Sequence, residues 1–511
     1  MTTLQPVETV RASDESGPAK GPRWRRPLAE GAFLLICAET IFSVPYRSVF
    51  LATHSAPLSW VAALVVCAVV ALCYRWREAI LNSLGRLAAG GWKSDRAWFG
   101  FWLIFGLAAR LAWAVRFRVT LKSDGLAYFL DAKSLATQHT FSGAYWPPGF
   151  SLFLAPFFDV FGAHVWVTVL CALLLFAATY GMTYLLAERL RGGVASRIAA
   201  MLVAVWPTYV TITGVNCKET LLAFLITAAL FLYLKADERG RGVRLGFIFG
   251  AGMLLGFCSL TQPGYMLFPG VVFLFELLRK RTFFGAVGRT IVFTLALVAV
   301  ILPWTYRNYL AFHRVVLIST NGGSVFYRAN NPEANASYSA EGEEALPKDE
   351  FAADKEGYRA AEAWIVHHPG DFAALMVRKQ VVYLGDDGIG VYESMKRGLH
   401  PSAKLYGAAK LVCNLFWLAA WVVLLLGVPK LFRLRSWPIW YGICFLPLLY
   451  QWAIDSVFES GSRHHLPYVA LVSIMVGIVI ESASGVARGE DRGASRDFEG
   501  NSTEAELRVI S

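Results

Sequence analysis

The apolar residues of this chain occur in blocks about as long as an α-helix needs to cross a lipid bilayer. Twelve such blocks run approximately over 31–51, 57–74, 98–115, 162–186, 195–213, 219–234, 245–261, 264–278, 290–304, 405–427, 437–454 and 466–482. The whole chain is 56% hydrophobic and 17% charged, whereas soluble domains are about 45–50% apolar and about 25% charged. The sequence therefore predicts an all-α polytopic membrane protein with about 12 transmembrane helices.

The first block is the weakest, because Glu39, Pro45 and Arg47 interrupt it. It follows a basic stretch and resembles the start of a signal peptide. No small-residue cleavage site is clear, however, and another apolar block follows soon after. We therefore expect a retained span.

The distribution of basic residues orients the chain. With a cytoplasmic N-terminus, 28 of the 48 Lys and Arg residues fall in inner segments, and the short outer turns at 52–56, 214–218 and 262–263 hold only Lys218. This is the positive-inside pattern. It accounts for the net charge of +11 through contact with anionic membrane lipids, so no nucleic-acid partner is expected.

These patterns divide the chain into six predicted regions. They are a cytoplasmic N-terminal tail (1–30), two extra spans with a basic cytoplasmic loop (31–97), a transmembrane core (98–304) with a first outer loop (116–161), an extracytoplasmic domain (305–403) of α/β or mixed structure, C-terminal spans (404–486) and a disordered cytoplasmic tail (487–511). The two long outer segments, 116–161 and 305–403, indicate that function faces outward.

Seven of the eight cysteines fall inside apolar blocks, which argues against a disulfide framework or a cysteine metal site.

The first outer loop carries two carboxylates that share a predicted helix face. Ser123 or Asp124 is a plausible N-cap for a helix that starts near Gly125. Asp124, Tyr128 and Asp131 then lie at i, i+4 and i+7, on one side of that helix. Two carboxylates at the membrane surface suggest proton abstraction or metal binding. Helix capping by Asp124 and a solvated or paired Asp131 are the structural alternatives.

Further charged residues stand at the predicted outer ends of spans. Glu219 opens one span, where an acid is either functional or favoured by the helix dipole. Lys218, Arg307 and Arg463 are cations at such ends, suited to phosphate or to ordinary contact with lipid headgroups. His464 is followed by His465, but adjacent helical residues point about 100° apart, which disfavours a shared metal ion.

The order of these motifs resembles a known superfamily. An acid follows an early span, then come Pro-Pro-Gly at 147–149, Glu219, Pro-Trp-Thr-Tyr-Arg-Asn-Tyr at 303–309, Ser-Thr-Asn-Gly-Gly at 319–323, Asn-Asn-Pro at 330–332 and an Arg-containing turn before the last span. The pattern resembles the GT-C membrane glycosyltransferases over residues 98–482. The nearest likeness is to bacterial relatives of the dolichyl-phosphate-mannose–protein mannosyltransferase and lipid A aminoarabinose transferase families, of the RgtA/B/C/D-like subgroup.

The resemblance implies a GT-C fold in the bacterial inner membrane with an active site on the periplasmic or extracellular side. It implies transfer of a hexose or pentose from a polyprenyl-phosphate donor to a hydroxyl of a glycan, lipid or protein acceptor, with inversion. Asp124 matches the position of the general base and Glu219 the second acidic position. Tyr128, Asp131, Lys218, Arg307, Arg463 and His464 are the candidate substrate-binding residues.

Two departures from the family pattern matter. Gly125 stands where a second acid often follows the base in the family, which argues against a metal site made by paired carboxylates. No cofactor is expected to be required, and a divalent cation stays an open alternative. Trp146 stands where some relatives carry a Lys before the prolines, so Lys218 is expected to replace that phosphate contact. The rival functions are a transporter or flippase for a lipid-linked sugar, an O-antigen ligase class with pyrophosphate-linked donors, and a membrane scaffold.

Overall fold

The computed structural model describes residues 25–89, 94–117, 121–141, 143–279, 282–337, 343–399 and 402–484. Twenty-one α-helices and no β-strand lie in these ranges. The first ten are α1 (Arg25–Thr53), α2 (Ala56–Tyr74), α3 (Arg77–Ala89), α4 (Asp95–Arg116), α5 (Ser123–Gln138), α6 (Gly149–Phe161), α7 (Val165–Leu190), α8 (Gly193–Val205), α9 (Pro207–Thr211) and α10 (Glu219–Lys235). The others are α11 (Arg241–Thr261), α12 (Pro269–Leu278), α13 (Phe283–Phe312), α14 (Gly322–Ala329), α15 (Glu350–His367), α16 (Pro369–Leu384), α17 (Ile389–Val391), α18 (Ala403–Leu431), α19 (Trp437–Trp440), α20 (Leu446–Val457) and α21 (Val469–Ala483). The predicted all-α class is thus confirmed.

Nine helical segments within the described ranges are long and apolar enough to cross a membrane. They comprise α1, α2, α4, α7, α10, α11, α13, α18 and α21, and the bent pair of α8 and α9 brings the number to ten if it counts as one span. The α10 and α21 segments are the most buried, whereas α2 and α4 expose most of their surface. The bundle core therefore lies around α10 and α21.

The predicted number of about twelve spans is not confirmed, although all twelve apolar blocks are helical. The block at 264–278 folds into a short 3₁₀ segment and the ten-residue helix α12, and at 1.5 Å per residue this helix alone is shorter than a complete span. The block at 437–454 is divided into α19, a π-helical segment over Tyr441–Phe445, and α20. Prolines near the starts of these helices leave backbone carbonyls without helical partners, which explains the divisions.

The outer segment 305–403 differs from its expected mixed structure. Its described residues contain the end of α13, then α14 to α17, and no strand. The side chain of Asp349 caps α15 by accepting a hydrogen bond from Ala352 N at 2.9 Å, and Ala-rich helix-forming sequence continues it. The α/β or mixed outer domain is therefore not confirmed.

The tails predicted at 1–30 and 487–511 lie outside the described residues, except that 25–30 form the first turns of α1.

A buried arginine holds the break between α8 and α9. Pro207 cannot donate a helical hydrogen bond, and the pair bends by 51°. Arg110, which is 0% exposed, donates to the carbonyls of Val203 at 3.0 Å and Ala204 at 2.9 Å. Those groups stand at the end of α8, where helical partners are missing. This contact fixes the path of the following turn, which leads to Lys218 and Glu219.

Candidate active site

Asp124 lies at the start of α5, in the loop that follows α4. The helix begins at Ser123, two residues before the predicted start, and its N-cap residue Lys122 makes no side-chain capping bond. The Ser123 hydroxyl donates to Asp124 Oδ1 at 3.1 Å. Capping is therefore not the role of the Asp124 carboxylate in this structure, and its second oxygen faces another partner.

That partner is Arg463, which bridges the two predicted catalytic acids. Its Nη2 donates to Asp124 Oδ2 at 2.6 Å, and its Nε lies 3.4 Å from Glu219 Oε1. Glu219 is 2% exposed, and neither of its carboxylate oxygens has a hydrogen-bond partner among the described residues. Three residues from distant parts of the sequence thus form one charged cluster.

Gly125 allows the first outer loop to approach the turn before α10. The Asn216 side-chain amide donates to Gly125 O at 2.8 Å. A Cβ atom at position 125 would lie 2.6 Å from the backbone oxygen of Asn216, which is too close. The glycine that departs from the family pattern therefore has a packing reason: it lets Asp124 and Glu219 share one site.

The charges of the cluster shift the pKa values of its members. Burial alone would raise the pKa of Asp124, but the positive charges of Arg463 and Lys218 lower it to about 2. Burial lowers the pKa of Lys218. Burial would also lower the pKa of Arg463, but Glu219 and Asp124 raise it well above its ordinary value. Asp124 is therefore ionised at neutral pH, and Arg463 keeps its charge.

A cavity of about 350 Å³ opens beside this cluster, which is within the usual size of small-molecule sites. Asp124, Tyr128, Lys218, Glu219, Arg463 and His464 all line it. The Lys218 ammonium makes no hydrogen bond or ion pair with any described residue. Six of the eight predicted site residues thus meet in one cavity, with an unpaired ammonium group on its wall.

The other two predicted residues lie elsewhere. Arg307 donates to the carbonyls of Phe141 at 2.8 Å and Gly143 at 3.3 Å, and it does not line the cavity. Asp131 is buried on α5 and is also absent from the cavity wall. Arg307 therefore connects the end of α13 to the first outer loop, and a direct contact of either residue with substrate stays a prediction.

The paired histidines contact two different carboxylates. His464 Nδ1 lies 3.0 Å from Asp455 Oδ1, and His465 Nε2 lies 2.8 Å from Asp387 Oδ1. The two rings contact different carboxylates, although residues 464 and 465 lie in a turn before a 3₁₀ segment and not in a helix. In the part of the chain that the structure describes, no group of three or more His, Cys, Asp or Glu side chains is arranged to hold a metal ion.

Sequence reasoning missed a second set of charged residues on the cavity wall, namely Arg47, Asp386 and Lys410. Lys410 Nζ lies 2.9 Å from Asp386 Oδ2. The Asp-Asp-Gly sequence at 386–388 was an available signal, since adjacent acids and a glycine are unusual beside an apolar span. It was missed because it lies inside the predicted outer domain.

Fold and site together define a polytopic membrane protein with a charged cavity at the ends of its spans. Comparison with known proteins agrees with the class that the motif order indicates. Residues 146–305 match the family model described as dolichyl-phosphate-mannose-protein mannosyltransferase. The resemblance to the GT-C membrane glycosyltransferases is thus confirmed.

Individual relatives are distant. The "Putative mannosyltransferase YkcB" of Bacillus subtilis (strain 168) is 27% identical over 146 residues, which are 28% of this chain and 20% of that protein. The chain therefore spans about a fifth of the length of this curated relative. Among solved structures, ArnT from Cupriavidus metallidurans bound to undecaprenyl phosphate is 15% identical, with a TM-score of 0.39 over 76% of this chain and 77% of ArnT. The oligosaccharyltransferase AglB from Archaeoglobus fulgidus is 13% identical, with a TM-score of 0.45 over 79% of this chain and 52% of AglB.

Proposed function

We propose that this protein is a membrane glycosyltransferase that moves a sugar from a polyprenyl-phosphate donor to an acceptor hydroxyl. One observation carries the proposal: the Asp124 carboxylate and the unpaired ammonium of Lys218 line the same cavity. A carboxylate can accept the proton of an attacking hydroxyl, and a cation can stabilise a departing phosphate. The description of the matching family names a lipid-phosphate sugar, which supports this class of donor.

The proposed reaction is a direct displacement. The acceptor oxygen attacks the anomeric carbon, the bond from that carbon to the phosphate oxygen breaks, and polyprenyl phosphate leaves with the bonding electrons. The acceptor proton moves to Asp124, and the anomeric configuration inverts. No metal is needed in this scheme because protein cations balance the charge of the phosphate.

Lys218 is the proposed phosphate-binding residue. It precedes α10 directly, and its ammonium has no partner within the described residues, whereas Arg463 is already bound to two carboxylates. When the donor binds, the single negative charge of its phosphodiester offsets part of the positive charge that keeps the pKa of Asp124 at about 2. The pKa of Asp124 then rises, which makes the carboxylate a better base once the donor is bound.

Glu219 holds Arg463 in place through Nε of the guanidinium, whose Nη2 contacts Asp124. Its carboxylate is buried and has no hydrogen bond among the described residues, so Arg463 is its principal stabilising neighbour. Tyr128 and His464 form further parts of the wall and are proposed to contact the sugar or the acceptor. The acceptor itself is a glycan, lipid or protein hydroxyl.

The site residues lie next to the ends of spans. The positive-inside rule assigns these ends to the outer face of the membrane. We therefore propose that the reaction takes place on the periplasmic or extracellular side of a bacterial inner membrane, with the polyprenyl chain in the lipid. The rival transport function requires charges along a path through the bundle. Arg110 and Asp455, the two charges that the sequence places in or near a span, are instead bound by backbone carbonyls and by His464, which supports transfer over transport.

Asp124→Asn tests the proposal. Purified protein in lipid nanodiscs should transfer sugar from polyprenyl-phosphate hexose or pentose, and the variant should lose about 10²–10⁴-fold in rate. Asp371→Asn, at an exposed position in α16 away from the cavity, is the matched control and should keep full activity. Full activity of Asp124→Asn would remove the assigned base, and lipid movement across vesicles without a new glycosidic bond would favour the transporter.

A further inference from the structure

The first helix contributes to the cavity, although the sequence places it outside the transmembrane core. Arg47 and Leu51 of α1 line the cavity together with the cluster around Asp124. The family match begins only at residue 146, so α1 lies outside it. The resemblance therefore assigns no role to Arg47, and any role must be argued from the structure.

Close packing holds the Arg47 side chain at this position. A Cβ atom at Gly385 would lie 2.8 Å from Ser43 O and 3.1 Å from Arg47 Cβ, so the chain after α16 packs directly on α1. About one turn after Ser43 on α1, Ser48 Oγ accepts a hydrogen bond from Asn414 Nδ2 of α18 at 2.9 Å. The same Asn414 accepts a hydrogen bond from the backbone N–H of Asp387 at 2.8 Å. Helix α1 is thus fastened to the segment that carries Asp386 and Asp387.

Arg47 makes no hydrogen bond or ion pair with any residue that the structure describes, and its Nε is buried without a partner. The opposite charge that acts on it most strongly is Asp386. That carboxylate is already engaged, because it lies 2.9 Å from Lys410 Nζ and accepts a hydrogen bond from Gly388 N at 3.0 Å. Asp386 thus pairs directly with Lys410, and the Arg47 guanidinium is left without a direct ion pair.

A partly buried, unpaired guanidinium is costly unless a ligand satisfies it. The planar fork of an arginine fits two oxygens of a phosphate or a similar oxyanion. We propose that Arg47, supported by Lys410, binds an oxyanion of the phosphate class that belongs to one of the two substrates. The oxyanion is either the phosphate of the lipid donor or an anionic group on the acceptor. The proposal rests on the proposed function for the nature of the substrates, but anion binding can be measured without turnover.

The binding test uses the full chain in nanodiscs of neutral lipid, with inorganic phosphate and undecaprenyl phosphate as probes. The readout is the shift of the thermal unfolding midpoint with probe concentration. Arg47→Gln should reduce the affinity for at least one probe by about 10–100-fold, as expected for a charge-assisted contact. The unfolding midpoint of the ligand-free variant should be unchanged or higher, because an unpaired cation is removed. Arg26→Gln, at an exposed position on the same helix, is the matched control and should change neither quantity.

Kinetics of sugar transfer then identify the source of the anion. A raised KM for the donor in Arg47→Gln assigns the oxyanion to the lipid phosphate, and a raised KM for the acceptor assigns it to the acceptor. Either result supports the proposal, whereas affinity for both probes within twofold of the parent protein overturns it. If the chain transfers no sugar but Arg47→Gln still weakens probe binding, the proposed function fails and this inference stands.

Discussion

The guanidinium of Arg463 lies 2.6 Å from the carboxylate of Asp124, a residue 339 positions earlier in the chain. The same guanidinium lies 3.4 Å from Glu219. One arginine therefore fixes the relative positions of the two acids that line the cavity. The consequences of this arrangement can be tested by changing the pH, the arginine and the neighbouring residues.

The first prediction concerns acid stability. Asp124 has a folded pKa of about 2, below its ordinary value of 3.8, so its carboxylate stabilises the folded state above about pH 4. This contribution is lost as the pH falls from about 4 towards 2. The thermal unfolding midpoint of the parent protein should therefore fall more steeply below pH 4 than that of Asp124→Asn. Parallel pH profiles for the two proteins would contradict the prediction.

The second prediction concerns Arg463. Arg463→Gln leaves the buried carboxylate of Glu219 and the partly buried carboxylate of Asp124 without their shared cation, which raises the pKa of Asp124. We expect a loss of at least about 100-fold in kcat/KM and a lower unfolding midpoint at pH 7 than at pH 5. Arg463→Lys keeps the charge but cannot bridge both acids with a planar fork, so it should restore stability more than activity. Equal rescue of both quantities would mean that the charge alone is sufficient.

The third prediction separates the role of Lys218 from that of the acids. Lys218→Gln removes the unpaired ammonium from the cavity wall. Because that group is proposed to contact the donor phosphate in both ground and transition states, KM for the donor should rise and kcat should fall, by about tenfold or more together. KM for the acceptor should stay unchanged. Lys404→Gln, at an exposed position near the start of α18, is the control; an unchanged donor KM in Lys218→Gln would contradict the assignment.

The fourth prediction concerns Gly125. Gly125→Ala introduces a Cβ atom 2.6 Å from Asn216 O, so the first outer loop must move away from the turn before α10. We expect the unfolding midpoint to fall and the transfer rate to drop about tenfold or more, because Asp124 and Lys218 separate. At Gly370 a Cβ atom meets nothing within 4 Å, so Gly370→Ala serves as the control. Normal activity of Gly125→Ala would show that the close approach is not required.

Much of the site could be predicted because its residues stand at the ends of apolar blocks. Asp124, Lys218, Glu219 and Arg463 are charges where a span meets the predicted outer surface, and all four line one cavity. Arg307 satisfies the same rule, yet the structure places it on backbone carbonyls of the first outer loop. Position at a span end is therefore a useful signal, but it cannot distinguish a residue that faces a cavity from one that fastens a loop.

The sequence by itself determined that this chain is a helical membrane protein, because blocks of apolar residues long enough to span a bilayer have few other stable structures. It also determined the order of the motifs, and with it the resemblance to the GT-C glycosyltransferases. Only the tertiary structure decided which charges meet. The contact of Asp124 with Arg463 spans most of the chain, and Arg47 reaches the same cavity from the first helix. Such contacts depend on how helices pack around one another, and the spacing of residues along a single helix carries no information about its distant neighbours.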